Sequence, residues 1–158
     1  MKKINIPNYG VIIIKNIIFD INGTIQFQGK ISDEIVKKFQ EIKEIYNIYL
    51  ISADTRGNLI QLAEKLGVKL IKINPKEISE AEAKNNELEK LGKRETIAIG
   101  NGNNDSLMLK NALFGILLIG REGATTKSLL NSDVIFTDTL DILDFLKDEK
   151  AIIGTLRS

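Results

Sequence analysis

The 158-residue chain has no cysteine and no histidine. The first absence excludes thiol catalysis, disulfides and cysteine-zinc sites. The second excludes Ser-His triads, histidine acid/base work and His-ligated metals. An excess of one charge is also missing. The 22 basic and 21 acidic residues leave a formal net charge of +1, which gives no electrostatic argument for nucleic acid or an anionic membrane. No apolar run is long enough to span a bilayer, and Met1-Lys2-Lys3 leads into Asn5, Pro7 and Asn8 rather than a signal-peptide core. No membrane partner and a cytoplasmic location are therefore expected. Chemistry is left to carboxylates, lysine, hydroxyls, amides and a hard metal ion. At 43% hydrophobic and 27% charged residues, the composition is that of an ordinary globular protein, and residues 1–158 are expected to form one domain with its own core.

Short apolar runs alternate with amphipathic segments. Residues 3–7 read as a short edge strand, followed by a turn at Pro7-Asn8-Tyr9-Gly10. Val11 to Ile14 and Ile17 to Phe19 are apolar and β-branched-rich, and read as one strand buried on both faces. Residues 24–31 alternate around a glycine and suggest a small flap hairpin. Ser32 reads as an N-cap, with Ile35, Phe39, Ile42 and Tyr46 on one helical face. Strands follow at Ile48 to Ile51, Val68 to Ile73, Thr96 to Ile99, Leu113 to Ile119 and Val134 to Phe136. Helices are expected around Leu59 to Leu66, from Ser79 (a capping box with Glu82) to Leu91, over Ser106 to Asn111 and Ala124 to Leu130, and from Thr139 to the C-terminus. This alternation predicts an α/β fold: a three-layer α/β/α sandwich around a mostly parallel sheet.

Strand ends are where open α/β sheets place their chemistry. The apolar run 17–19 stops at Asp20, followed by Ile21-Asn22-Gly23-Thr24, where Gly23 allows a sharp turn and a close approach to a ligand. Ser52-Ala53-Asp54-Thr55 closes the next strand, and the Ser52 hydroxyl there would serve equally as a helix N-cap. Lys84 lies in the second turn of its helix, a position where most lysines are simply solvated, with Lys76 and Lys90 nearby. Gly100-Asn101-Gly102-Asn103-Asn104-Asp105 follows the fourth strand. It lacks the third glycine of a dinucleotide fingerprint and reads locally as a glycine-rich connection capping a helix.

Taken together and in this order, these four segments resemble motifs I to IV of the haloacid dehalogenase (HAD) superfamily of phosphatases, phosphotransferases and P-type ATPases. The resemblance covers nearly the whole chain. Ser52 to Thr55, Gly100 to Leu109, Ile119 to Ala124 and Gly154 to Arg157 look specifically like the small "soluble P-type ATPase" group. It implies a HAD-like (Rossmannoid) sheet and a Mg²⁺-dependent phosphohydrolase. In that scheme Asp20 is the nucleophile that becomes phosphorylated. The Ser52 hydroxyl and the Ala53 amide hold phosphoryl oxygens, with Gly23, Thr24 and Asp54 beside them. Lys84 neutralises charge on the aspartate and the phosphoryl group. Asp20, the Asn22 backbone carbonyl, Asn101 and Asp105 bind the metal.

Two departures matter. Asn22 stands where most HAD phosphatases have an acid/base aspartate, and a carboxamide transfers no proton in this range. Losing such a group typically costs about 10²–10⁴-fold, so slow hydrolysis or a persistent phospho-aspartate is expected. Asn101 replaces a ligating aspartate and brings oxygen without charge. No cap domain fits between the motifs, so the site should be open, and a homo-oligomer or a large substrate is expected. The partner is a phosphorylated small molecule or a phosphoprotein. Gln26, Phe27, Gln28, Asp54 and Arg56 are candidate contacts to it, although Arg56 reads equally as a solvated helix-start residue. The alternative is an attenuated HAD-fold protein that binds phosphate or metal in a regulatory role. A receiver domain is set aside, because the first strand carries one acid and the third ends at Ile73-Asn74.

Overall fold

In the computed structural model, residues 1–26, 30–53 and 58–157 are described. Phe27, Gln28, Asp54, Thr55 and Arg56, and with the first two the middle of the expected flap, lie outside these residues.

The chain opens with an antiparallel hairpin of β1 (Lys2–Ile6) and β2 (Gly10–Ile14), joined through Asn8 at φ 62°. It then forms β3 (Asn16–Asp20), α1 (Asp33–Ile42), β4 (Asn47–Ser52), α2 (Asn58–Leu66) and β5 (Lys69–Lys72). Next come α3 (Glu80–Leu91), β6 (Thr96–Gly100), a 3₁₀ turn over Asn103–Asp105 and α4 (Ser106–Asn111). The chain ends with β7 (Phe114–Leu118), α5 (Thr126–Leu130), β8 (Val134–Phe136), α6 (Thr139–Lys147) and α7 (Glu149–Leu156). Strands β3 to β8 form one parallel sheet in the order β5-β4-β3-β6-β7-β8.

Two expectations change. The apolar run from Val11 to Phe19 is two strands, not one. It breaks at Lys15, whose amide donates to Glu95 O and whose carbonyl accepts from Asn47 N. The two halves then find different partners: β2 pairs with β1 outside the main sheet, and β3 becomes a central strand. The first strand is therefore not an edge of the main sheet. The C-terminal helix is likewise two, because the Asp148 side chain accepts from Lys150 N and Ala151 N and starts α7 afresh.

Pleating sorts the core. Ile17 and Phe19 point to one face with Leu50, Ile97, Ile99 and Ile116, and α1, α2, α6, α7 and the hairpin cover them. Ile18 points to the other face with Ile51, Ala98 and Leu117, under α3 and α4. The result is the expected three-layer α/β/α sandwich, and no cap domain stands over the sheet among the described residues. From β3 the chain moves outward through β4 and β5, and from β6 it moves the opposite way through β7 and β8. The carboxyl ends of β3 and β6 therefore flank a topological switch point, where the connecting loops diverge and open a crevice.

Candidate active site

Asp20 ends β3 in phase with Ile18, which aims its carboxylate toward the α3 side of the sheet. Helix α3 starts with the capping box: the Ser79 hydroxyl accepts from Glu82 N, and Glu82 Oε2 accepts from Ser79 N at 2.8 Å. One turn in, Lys84 enters the protein with no exposed surface. Its Nζ donates to Asp20 Oδ1 at 2.5 Å and to Asp105 Oδ1 at 2.7 Å, and lies 3.6 Å from Glu80 Oε1. Lys76 is exposed, and Lys90 pairs on the surface with Glu87. Of the three lysines, Lys84 is the one at Asp20.

Asp105 is completely buried. Its second oxygen, Oδ2, accepts from Asn101 N and Gly102 N, both at 2.9 Å. The glycine spacing of this loop follows from that fit. A Cβ on Gly100 would stand 2.5 Å from Asp105 Cγ, so any larger residue would push the carboxylate out. Asn104 Nδ2 donates to Glu80 Oε1 at 2.7 Å and ties the loop to the first turn of α3.

These contacts set the charge state. Burial, reinforced by the nearby Asp105 and opposed by Lys84, pushes Asp20 up to about 7 from its ordinary 3.8. For Lys84, burial favours the neutral amine, but Asp20 and Asp105 outweigh it and hold the ammonium well above the ordinary lysine range. We read the site as one lysine cation between two carboxylates, because its geometry satisfies all three groups.

The crevice beside them has a volume of about 470 Å³ and is lined by Asp20, Asn22, Ser52, Ala53, Glu80, Asn101, Gly102, Asn104 and Glu122. Gly23 turns over its rim at φ +77°, and a Cβ there would stand 2.4 Å from Asn101 Nδ2 and 3.2 Å from Glu122 Oε2. Thr24 is placed differently. It is buried, its carbonyl accepts from Thr139 Oγ1 at 2.6 Å, and it lines a neighbouring cavity of about 820 Å³ with Lys30, Arg121 and Asp138. Among the described residues the Thr24 hydroxyl and Gln26 Oε1 are buried with no hydrogen-bond partner. Asp54 lies outside the described residues.

Glu80 was missed by sequence reasoning, and Asn104 and Glu122, which lie in segments that the resemblance marked, were not singled out as site residues. Glu80 had a signal, being four residues before Lys84 on one helix face. Glu122 lies in the segment Ile119 to Ala124 that the resemblance marked, but nothing there singled out its side chain, which reaches the crevice through the packing of two loops.

The donors here are carboxylate and amide oxygens, a set that suits a hard cation such as Mg²⁺ rather than a thiophilic metal. Among the described residues no cluster of three or more acidic, His or Cys residues converges to hold a metal on its own. Carbonyl oxygens and water would have to complete the shell, which is usual for Mg²⁺. The donor set therefore fits the ion, with less negative charge than three carboxylates would bring.

No family model matches the chain. Its architecture matches solved structures of HAD phosphatases. One is the cobalt-bound 3-deoxy-D-manno-octulosonate 8-phosphate phosphatase YrbI of Haemophilus influenzae, with TM-score 0.71 and 11% identity over 92% of this chain and 94% of that one. Another is the Moraxella catarrhalis enzyme in complex with magnesium, phosphate and the sugar acid, with TM-score 0.70 and 18% identity over 91% and 94%. The catalytic domain of a CPx-ATPase, CopB-B, matches with TM-score 0.59 and 22% identity over 72% of this chain and 44% of that one. The chain thus has the HAD-like fold, with no cap among the described residues. In sequence it belongs to one family with the uncharacterized protein MJ0073 of Methanocaldococcus jannaschii, to which it is 49% identical over 83 residues, half of this chain and 89% of that protein. Among the described residues no helix is long and apolar enough to cross a membrane.

Proposed function

We propose that the chain is a Mg²⁺-dependent phosphohydrolase of the HAD type that forms an aspartyl phosphate on Asp20 and turns over slowly. One observation carries this reading: a fully buried lysine joins two carboxylates at the switch point of the sheet, beside an open crevice. A purely structural core would gain little from such a triad, because desolvating three charges offsets most of their attraction.

In the proposed reaction, an Asp20 carboxylate oxygen attacks phosphorus as the bond to the leaving oxygen breaks. Lys84 steadies the negative charge that the transfer spreads over the phosphoryl oxygens, and the Ser52 hydroxyl and Ala53 amide orient them. Bound Mg²⁺, held by Asp20, Asp105, the Asn101 amide oxygen and the Asn22 carbonyl, would add positive charge at the same oxygens. Water then displaces Asp20 from phosphorus and releases inorganic phosphate. Asn22 lines the crevice and orients the leaving group, but it has no proton to give. Substrates whose leaving oxygen departs unprotonated, such as acyl and aryl phosphates, are therefore favoured. The fold neighbours are named as phosphatases of a phosphorylated sugar acid, which supports a phosphorylated small molecule as the substrate class.

The test is turnover of p-nitrophenyl phosphate and acetyl phosphate with and without Mg²⁺. Activity should require Mg²⁺ and vanish in Asp20→Asn. Asn22→Asp should hydrolyse faster by up to the ~10²–10⁴-fold that a general acid/base contributes. No turnover in the parent, with no phosphate label on Asp20, would replace the enzyme with a binding protein responsive to phosphate or metal.

A further inference from the structure

Asn101 brings no charge to the crevice, yet a carboxylate from elsewhere in the chain lies against it. Glu122 sits in a tight turn after β7, closed by Gly123 N donating to Gly120 O at 2.9 Å. This turn is anchored on both sides of the site. Gly120 packs so closely on the turn after Asp20 that a Cβ there would stand 3.1 Å from Gly23 O. On the other side, Thr125 N donates to Asn101 O at 3.3 Å. Between these anchors, the Glu122 carboxylate and the Asn101 carboxamide converge on the same point above Gly23. Glu122 lines the crevice with Asp20 and Asn101, whereas its neighbour Arg121 lines the adjoining cavity. Glu122 forms no hydrogen bond or ion pair with a described residue.

We propose that Glu122 supplies the negative charge that Asn101 lacks and completes the outer shell of the divalent-cation site from the loop after β7. The inference rests on the metal-dependent reading above. It follows from charge arithmetic: Asp20 and Asp105 bring two negative charges, and Lys84, hydrogen-bonded to both, cancels one, while Glu80 is already engaged by Asn104 and Lys84. A divalent ion would meet a net charge of only −1 from Asp20, Asp105 and Lys84. Glu122 adds another without entering the buried triad. Its exposed position suits a partner reached through a cation-bound water.

The experiment is calorimetric titration of Mg²⁺ into the folded chain and its variants, with no substrate present. Removal of an outer-shell partner typically weakens metal binding about 10–100-fold, and Glu122→Gln should fall in that range with unchanged thermal unfolding in the absence of Mg²⁺. Restoring the charge one shell inward, Asn101→Asp in the Glu122→Gln background, should return affinity to the parent value or above it. Asp105→Asn is the reference, because it removes a direct ligand. If Asp105→Asn weakens binding while Glu122→Gln stays within about two-fold of the parent, the assignment of Glu122 is overturned and the metal site stands. If the parent itself takes up no Mg²⁺, the metal-dependent reading fails, and the role of Glu122 fails with it.

Discussion

The two faces of the sheet are built on different principles. The face under α1, α2 and α6 is an uninterrupted apolar core, with the Phe19 and Phe39 rings 5.0 Å apart at its centre. The face under α3 and α4 has a much smaller core and gives the carboxyl ends of β3 and β6 to Lys84, Asp20 and Asp105. Apolar burial at roughly 25 cal/mol per Å² accumulates on the first face. On the second, each charge gains its place only through its partners. The comparison teaches that the stabilising layer and the reactive layer share strand β3 but little else, since Ile17 and Phe19 serve one and Ile18 and Asp20 the other.

The strongest way to break that division is Lys84→Met. The methionine fills similar space but leaves two carboxylates facing each other in a buried site. Breaking a buried pair by removing one partner costs about 3–5 kcal/mol, and the attacking group loses the cation that steadies the transferring charge. The expected result is a large loss in urea stability together with loss of phosphatase turnover. Unchanged stability would mean that the triad is already solvated and the contrast between the faces is false.

Phe39→Ala tests the other face. Truncating a fully buried phenylalanine costs about 3–5 kcal/mol, here including its tilted contact with Phe19. Turnover per folded molecule should stay at the parent level, because the cavity opens on the side of β3 away from Asp20. A fall in kcat that parallels the fall in stability would show that the two layers are coupled through the strand.

The same division decides what could be read in the sequence. The main-sheet strands and most helices were legible because their periodicity is local, whereas Lys84 was singled out from Lys76 and Lys90 only through the resemblance, which expects a lysine on the helix before the fourth strand. The break at Lys15 was not legible. Val11 to Ile14 and Ile17 to Phe19 have the same composition, and only their non-local pairing, with β1 in one case and with β4 and β6 in the other, separates them. Asp148 hid a helix boundary for a similar reason. An acidic residue in a helical stretch looks like a solvated position until its carboxylate is seen to cap the next turn. Glu122 belongs to the crevice only because two glycine turns, a hundred residues apart in sequence, can touch. The resemblance marked the segment Ile119 to Ala124, but no local pattern says which of its side chains meets Asn101.

The gentlest comparison uses the two serine caps. Ser32 accepts from Ile35 N at the start of α1, and Ser79 accepts from Glu82 N at the start of α3, both at 3.2 Å and both on the surface. Replacing either by alanine should cost about 1 kcal/mol of stability, measurable as similar shifts in the urea midpoint. Their effects on catalysis should differ. The first turn of α1 holds nothing that reaches the crevice. The first turn of α3 holds Glu80, which touches both Asn104 and Lys84, and Lys84 follows one turn later. Loosening that turn lets the lysine drift from its two carboxylates, so Ser79→Ala should lower kcat while Ser32→Ala leaves it unchanged. Equal kcat values in the two variants would mean that Lys84 is held by the carboxylates alone, and that α3 delivers the lysine without positioning it.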